Sequence, residues 1–350
     1  MVKYITKYVK DHYDVVKLRR DVADRLREFA KNMNLPISDA VSYLLTNINV
    51  NIVNNINIVD KISSDVASYV LNSFGSDKIK LIPYQGGDYH IFDDLNRIFM
   101  MARAEIFVEA FGGSCWCSLN VSRSKFKVIV CNDIDQDIIM FYRLVKDRSY
   151  ELIKMLSILP LSREIYEIAK EIVNSGSVDQ VTKAVMLFYV VRTSFSGVIG
   201  NKIGFRVSRT VNEANRFANA IAAISEYAKR FRDVVLESKD FREIIKLYDS
   251  EKTLFYLDPP YVGGERHRYY RFSFTANDLR SLANMLNSIK GLWVLKIAED
   301  NYRLVNGALP NHETVELKTL LRSANVKDDK RIEYRYILAH NIHNINKTLY

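Results

Sequence analysis

No stretch of this 350-residue chain approaches the roughly 18 to 20 consecutive apolar residues that cross a membrane. The amino terminus lacks the charged, apolar and small-residue succession of a secretory signal. Neither a membrane protein nor an exported one is expected. Cysteine is scarce: Cys115, Cys117 and Cys131 are too few for a disulfide framework, and no second ligand pair accompanies them for zinc. They read as small buried residues of a reducing cytoplasm. Glutamine occurs only at 85, 136 and 180, a shortage seen in hot habitats, but asparagine is abundant, which runs the other way. No carboxylate cluster has metal-ligand spacing, so a metal-dependent nuclease has no support and no metal is expected. What is present is ordinary for a globular protein, 48% hydrophobic and 26% charged. Its length suits one large domain of about 250 residues with a small satellite. The formal charge of +9 favours a polyanionic partner.

Along the chain, Asp14 to Arg20 alternates as a short basic strand. Asp21 then caps a helix carrying Val22, Leu26, Phe29 and Ala30, and after Leu35-Pro36 a second helix follows with Val41, Leu44, Leu45 and Ile48. This strand-helix-turn-helix resembles the ribbon-helix-helix DNA-binding family. The resemblance implies a homodimer whose paired strands enter the major groove with either Lys17 and Arg19 or their neighbours Val16 and Leu18 facing the bases. The plainer reading is a helical hairpin packed on the main domain. Residues 47 to 59, rich in Asn, Ile and Val, form a linker, which divides the chain into 1-60 and 61-350.

A helix over about 60 to 74 leads into the main domain. There KVIVCND, TLFYLDPP and GLWVLKIA read as strands separated by helical stretches. Such alternation predicts an α/β fold, a mostly parallel sheet with helices on both faces and ligands beyond the carboxyl ends of the strands. Residues 150 to 235, helical and rich in Tyr, Arg and Lys, read as an inserted lobe.

The sharpest motif is Asp258-Pro259-Pro260-Tyr261 after an apolar strand. Two prolines remove two backbone donors and fix the chain, so the Asp258 carboxylate and the Pro259 carbonyl present two acceptors beside the flat Tyr261 ring. Two acceptors and a stacking face suit an exocyclic amine on a nucleobase. Here the chain resembles the Dam-like group of adenine-specific DNA methyltransferases, from Leu81 to the carboxyl terminus. The resemblance implies a Rossmann-like domain, S-adenosylmethionine as cofactor, DNA as partner and Asp258 to Tyr261 as the catalytic tetrapeptide.

Other blocks carry it further. Ile82 to Asp88 is similar to the family block bordering the cofactor, so Tyr84, Gly86 and Gly87 would line it; Asp88 stands where the family usually has Lys. Phe107 to Gly113 resembles the cofactor loop, with Ala110 in place of Pro. It implies roles for Glu109 near the cofactor's ammonium, and for Phe111, Gly112 and Gly113. Val128 to Asp133 presents an acid at a strand end about 20 residues on, the spacing of a ribose ligand, and Asp133 would otherwise cap the next helix. Asp240 and Phe241 fall where the family contacts the cofactor adenine, Asp240 being otherwise a helix cap. Tyr269 to Phe274 resembles a segment that closes over the flipped base, and Glu333 to Asn341 the family's last strand. Arg192 to Gly197 resembles a site-shaping segment, with Ser196 for Asn. In the lobe, Lys202, Arg206 and Arg209, with Arg192, are spaced for DNA contact, although such clusters are more often a solvated face. Two rival readings remain: a ribbon-helix-helix regulator whose methyltransferase domain has lost activity, and an enzyme acting on RNA.

Overall fold

The computed structural model describes Lys31, 81–82, 88–175, 178–195, 204–263, 271–321 and 332–342. The chain divides into two units, Met1–Lys78 and Ile79–Tyr350, and every described residue except Lys31 belongs to the second. Apart from Lys31, which is helical and exposed, the strand, helices and linker expected over 14 to 74 lie outside the described residues, as do Lys17, Arg19, Tyr84, Gly86, Gly87 and Lys202.

After a 3-10 turn at Asp88–His90 the elements run α1 (Phe92–Met101), β1 (Ile106–Glu109), α2 (Trp116–Asn120), β2 (Val128–Asn132), α3 (Gln136–Ser157), α4 (Arg163–Ser175), α5 (Gln180–Thr193) and α6 (Glu213–Phe231). There follow β3 (Val234–Glu237), α7 (Phe241–Tyr248), β4 (Thr253–Leu257), α8 (Ala276–Leu286), β5 (Leu292–Ala298), α9 (Glu299–Val305), β6 (Glu313–Leu321) and β7 (Ile332–His340). The seven strands form one sheet in the order β3-β2-β1-β4-β5-β7-β6. The first five are mutually parallel, and β7 runs antiparallel to both β5 and β6. The three expected strands are β2, β4 and β5.

Period-two alternation distributes the sheet between two cores. In β4 every residue is buried: Leu254 and Tyr256 join the cluster built with α1 and α3 to α6, while Phe255 and Leu257 join the one built with α7, α8 and α9. Helices therefore cover both faces. The helices over 150 to 231 belong to the same hydrophobic cluster as the sheet, through Leu152, Phe188, Ile224 and Phe231. Among the described residues no helix is long and apolar enough to cross a membrane.

The order also locates the site. From β1 the chain steps outward to β2 and β3, then returns to β4 on the other side of β1. Where the order reverses, the loops after two neighbouring strands diverge and leave a crevice at their carboxyl ends. Glu109 at the end of β1 is in register with Tyr256 of β4, so the loop beginning at Ala110 and the tetrapeptide beginning at Asp258 emerge side by side.

Candidate functional site

The loop after β1 turns tightly against β2. Gly112 donates its N–H to the Asn132 carbonyl at 2.6 Å, and a Cβ there would lie 2.5 Å from the Cys131 sulfur and 2.9 Å from that carbonyl oxygen; only glycine fits. Gly113 follows at φ 49°, a left-handed conformation in which a side chain is strained. Its N–H donates to Asp133 Oδ2 at 2.7 Å and its carbonyl accepts from the Tyr142 hydroxyl at 2.7 Å. The turn is thus fastened from both sides.

Asn132, fully buried at the end of β2, ties this loop to a third strand. Its amide donates to the carbonyls of Ala110 and Lys239 at 2.9 and 3.0 Å, and its oxygen accepts the Lys239 N–H at 2.9 Å. Asp133 lies beside it, with Oδ1 accepting the Asp135 N–H at 2.8 Å; burial pushes its carboxyl up to about 6. The alternative role of Asp133 as a helix cap is corrected. The cap of α3 is Asp135, which accepts from Asp137 N–H, while Asp133 holds the glycine turn. Asp240 does cap α7, accepting the Arg242 N–H at 2.8 Å.

Phe111, on the β1 loop, and Phe241, at the start of α7, meet at 5.5 Å between ring centroids; Phe274 joins them at 5.7 and 5.9 Å. Residues expected along a cofactor are brought together with the end of the segment expected to close over a base. That segment is anchored as well: Arg271 pairs with Asp135 at 3.1 Å and Asp137 at 3.0 Å. Tyr269 and Tyr270 lie outside the described residues.

The reading of three isolated thiols is corrected. Cys115, held at φ 52°, forms a disulfide with Cys131 on β2 across a Cα separation of 5.9 Å, within ordinary disulfide reach. The left-handed residue turns its sulfur beneath Gly112 towards the strand. Cys117 stays a free, buried thiol.

At the end of β4, Asp258 keeps 18% of its side-chain exposure. Its Oδ2 accepts from the Lys296 ammonium at 2.8 Å, and the same ammonium donates to Asp88 Oδ1 at 2.6 Å. Burial lifts the Asp258 carboxyl to about 7, with Lys296 pulling against it and Asp88 adding to it. Burial alone would depress Lys296, but the two carboxylates outweigh that and hold it well above the ordinary lysine range. Pro259 and Tyr261 are buried and Pro260 is partly so. The Tyr261 ring, expected as an open stacking face, is only 8% exposed and lies 5.9 Å from the Tyr336 ring.

Glu109 points into the same interior and accepts the N–H groups of Ser118 at 2.7 Å and Cys117 at 3.4 Å. Burial pushes its carboxyl up to about 8. Donor atoms of Asp88, Glu109 and Cys117 gather within 4.8 Å of one another, a grouping that sequence spacing did not disclose. Lys296, Ser118 and the Cys117 thiol, which donates to Asp88 Oδ2 at 3.6 Å, already engage these carboxylates.

The expected DNA-facing arginines at 192, 206 and 209 fall on either side of residues 196–203 in the sequence. Phe195 N–H donates to the Gly204 carbonyl and Arg206 N–H to the Thr193 carbonyl, which brings Arg192 and Arg206 together. Arg192 is inward: burial first, then Arg206, lowers its guanidinium to about 10. Arg206 pairs with Glu213 at 3.5 Å, and Arg209 is exposed. Sequence reasoning missed Lys296, Asn132 and Tyr142. A lysine inside the apolar strand GLWVLKIA was itself a signal, because a buried charge has to be paired.

Comparison with known proteins adds a family. A family model described as D12 class N6 adenine-specific DNA methyltransferase matches residues 84–334. The chain is 24% identical over 241 residues to a DNA adenine methylase of Salmonella typhi, covering 67% of this chain and 80% of that protein. To a type II methyltransferase of Lactococcus lactis subsp. cremoris it is 27% identical over 206 residues, covering 55% and 70%. To one of Methanocaldococcus jannaschii it is 22% identical over 258 residues, covering 66% and 86%.

Proposed function

From the premise that the chain belongs to the D12 class of N6 adenine-specific DNA methyltransferases, we propose that Asp258, Pro259, Pro260 and Tyr261 carry the reaction. The enzyme methylates adenine in DNA. S-adenosylmethionine, the donor the family implies, supplies a methyl carbon bound to sulfonium. The residues around the crevice fit such a donor: a glycine turn with no space for a side chain at 112, a carboxylate at Asp133, and the Phe111, Phe241 and Phe274 rings. Asp240 belongs to the same reading as a neighbour of the cofactor adenine, and Tyr84, Gly86, Gly87 and Glu109 as its border.

The observation that carries the reading is the position of Asp258, one residue beyond β4 and beside the loop after β1, at the point where strand order reverses. The adenine amine is a weak nucleophile because its lone pair is delocalised into the ring. Acceptance of its hydrogens by Asp258 and the Pro259 carbonyl favours a pyramidal nitrogen and stabilises the positive charge that grows there. The base must first leave the duplex, which costs a few kcal/mol, and Tyr261 with the Tyr269 to Phe274 segment would hold it. The chemistry calls for no metal, and the nearby carboxylates are occupied by Lys296 and by backbone N–H groups.

Arg192, Lys202, Arg206 and Arg209 serve DNA in this reading, with Arg209 the exposed contact. Lys17 and Arg19 of the amino-terminal segment add a second, dimeric contact. The substrate puts the enzyme in the compartment that holds DNA, the cytoplasm in this reading.

The test is transfer of labelled methyl groups from S-adenosylmethionine to mixed-sequence DNA, with Asp258→Ala alongside. N6-methyladenine formed only by the parent, with donor affinity retained in the variant, is the expected result. Undiminished transfer by Asp258→Ala would remove the tetrapeptide from the chemistry, and methylation of RNA alone would move the substrate.

A further inference from the structure

The geometry points to Lys296 as a positioning residue of the methyl-transfer site, the cation that orients the Asp258 carboxylate for the substrate amine and is itself held by Asp88. This rests on the reading of Asp258 as an acceptor for that amine.

Three observations carry it. The first is place: Lys296 stands in the middle of β5, in register with Leu338 of β7, and its side chain is 2% exposed. A lysine so deep in an apolar strand is very unfavourable unless paired. The second is geometry. The ammonium bridges Asp258 Oδ2 at 2.8 Å and Asp88 Oδ1 at 2.6 Å, on elements far apart in sequence, and lies 5.4 Å from the Tyr336 ring. With Oδ2 fixed, the Asp258 carboxylate cannot rotate freely. Its Oδ1 takes no hydrogen bond from any described residue, so it is left to accept from an amine.

The third is charge. Burial favours a protonated Asp258, which would turn one acceptor oxygen into a donor, and Lys296 opposes that. Asp88 matches the ammonium and keeps it in place. The family resemblance puts a lysine at position 88; here the cation comes from the neighbouring strand and the carboxylate from the amino-terminal turn. Among the described residues the other titratable groups that face this chain of charges include Tyr256 on β4, whose hydroxyl is pushed up by burial and by Asp88 and Asp258, Tyr261, Tyr336 on β7, Glu109 on β1 and Cys117 on α2.

The two partners therefore act on Asp258 in opposite directions, and a merely structural role would not. The experiment is the pH dependence of kcat for methyl transfer to duplex DNA by the full chain, parent against Lys296→Met and Asp88→Asn, with Asp258→Ala as reference. In Lys296→Met the acidic limb should move to higher pH, with kcat at pH 7 falling about fivefold for the first unit moved, since a group half ionised becomes roughly one-tenth ionised, and about tenfold for each unit after that. In Asp88→Asn the limb should move to lower pH. Donor affinity, followed by calorimetry, should change far less than kcat in both.

A folded Lys296→Met whose limb stays in place overturns the proposal. If Lys296→Met does not fold, Asp88→Asn decides: a downward shift supports the role, and an unmoved or upward shift overturns it. Inactive Asp258→Ala beside an unaffected Lys296→Met would reject Lys296 alone, whereas active Asp258→Ala would reject the reading beneath it.

Discussion

Glu109 has its carboxyl buried at the end of β1, 2% exposed, and burial raises it from an ordinary 4.5 to about 8. The folded protein thus keeps a proton there that the unfolded chain has released between those values. A raised folded pKa contributes stability that is complete below about 4.5 and is lost as pH climbs through about 8. Asp133, at about 6, acts in the same sense over a narrower window. The cofactor-free protein should therefore melt at progressively lower temperature between pH 5 and pH 8.5. Glu109→Gln still accepts the Ser118 N–H but has no proton to lose, so it should flatten that slope and melt roughly 1–2 °C above the parent at pH 8.5 for each ~1 kcal/mol recovered in a chain of this size. Equal slopes for the two, by differential scanning calorimetry, would show that Glu109 is ionised in the fold.

Between elements, the work of shaping the crevice falls to Asn132, which no motif disclosed. The contiguous parts of the site were legible: a carboxylate after a strand, two glycines after another and an acid 20 residues on each report a strand end, because backbone sterics and alternation are local. Lys296, Asn132, Tyr142 and the Cys115–Cys131 pair were not, because their partners come from strands or helices remote in sequence and only the sheet order brings them together. The β6 and β7 pair was half legible, its second strand from the family resemblance and its first from nothing in the pattern. Asn132→Leu retains volume but leaves the Ala110 and Lys239 carbonyls and the Lys239 N–H without their partner, at about 1–3 kcal/mol for each buried group stranded. The variant should melt several degrees lower and bind S-adenosylmethionine at least tenfold more weakly, while Asp258 keeps Lys296. Unchanged donor affinity in a folded variant would mean that the loops after β1 and β3 hold their places without this knot.

At the scale of the molecule, every described residue of the proposed site belongs to Ile79–Tyr350, and the family match begins at residue 84. Donor binding should accordingly need nothing from the first 60 residues. DNA affinity is another matter. A chain of net charge +9 binds a polyanion largely by releasing counterions, so each lysine or arginine on phosphate steepens the salt dependence by about 0.9 in the logarithmic slope. If Lys17 and Arg19 act within a paired ribbon, removal of residues 1 to 60 subtracts contacts from two copies at once. The truncated protein should be a monomer by light scattering, bind duplex DNA at least tenfold more weakly by fluorescence anisotropy and show a shallower salt slope. Its affinity for S-adenosylmethionine and its kcat on saturating DNA should stay within about twofold of the parent. A truncated protein with the parent's mass state and salt slope would assign the amino-terminal segment to packing rather than to DNA, and the burden of DNA affinity would then fall on Arg192, Arg206 and Arg209.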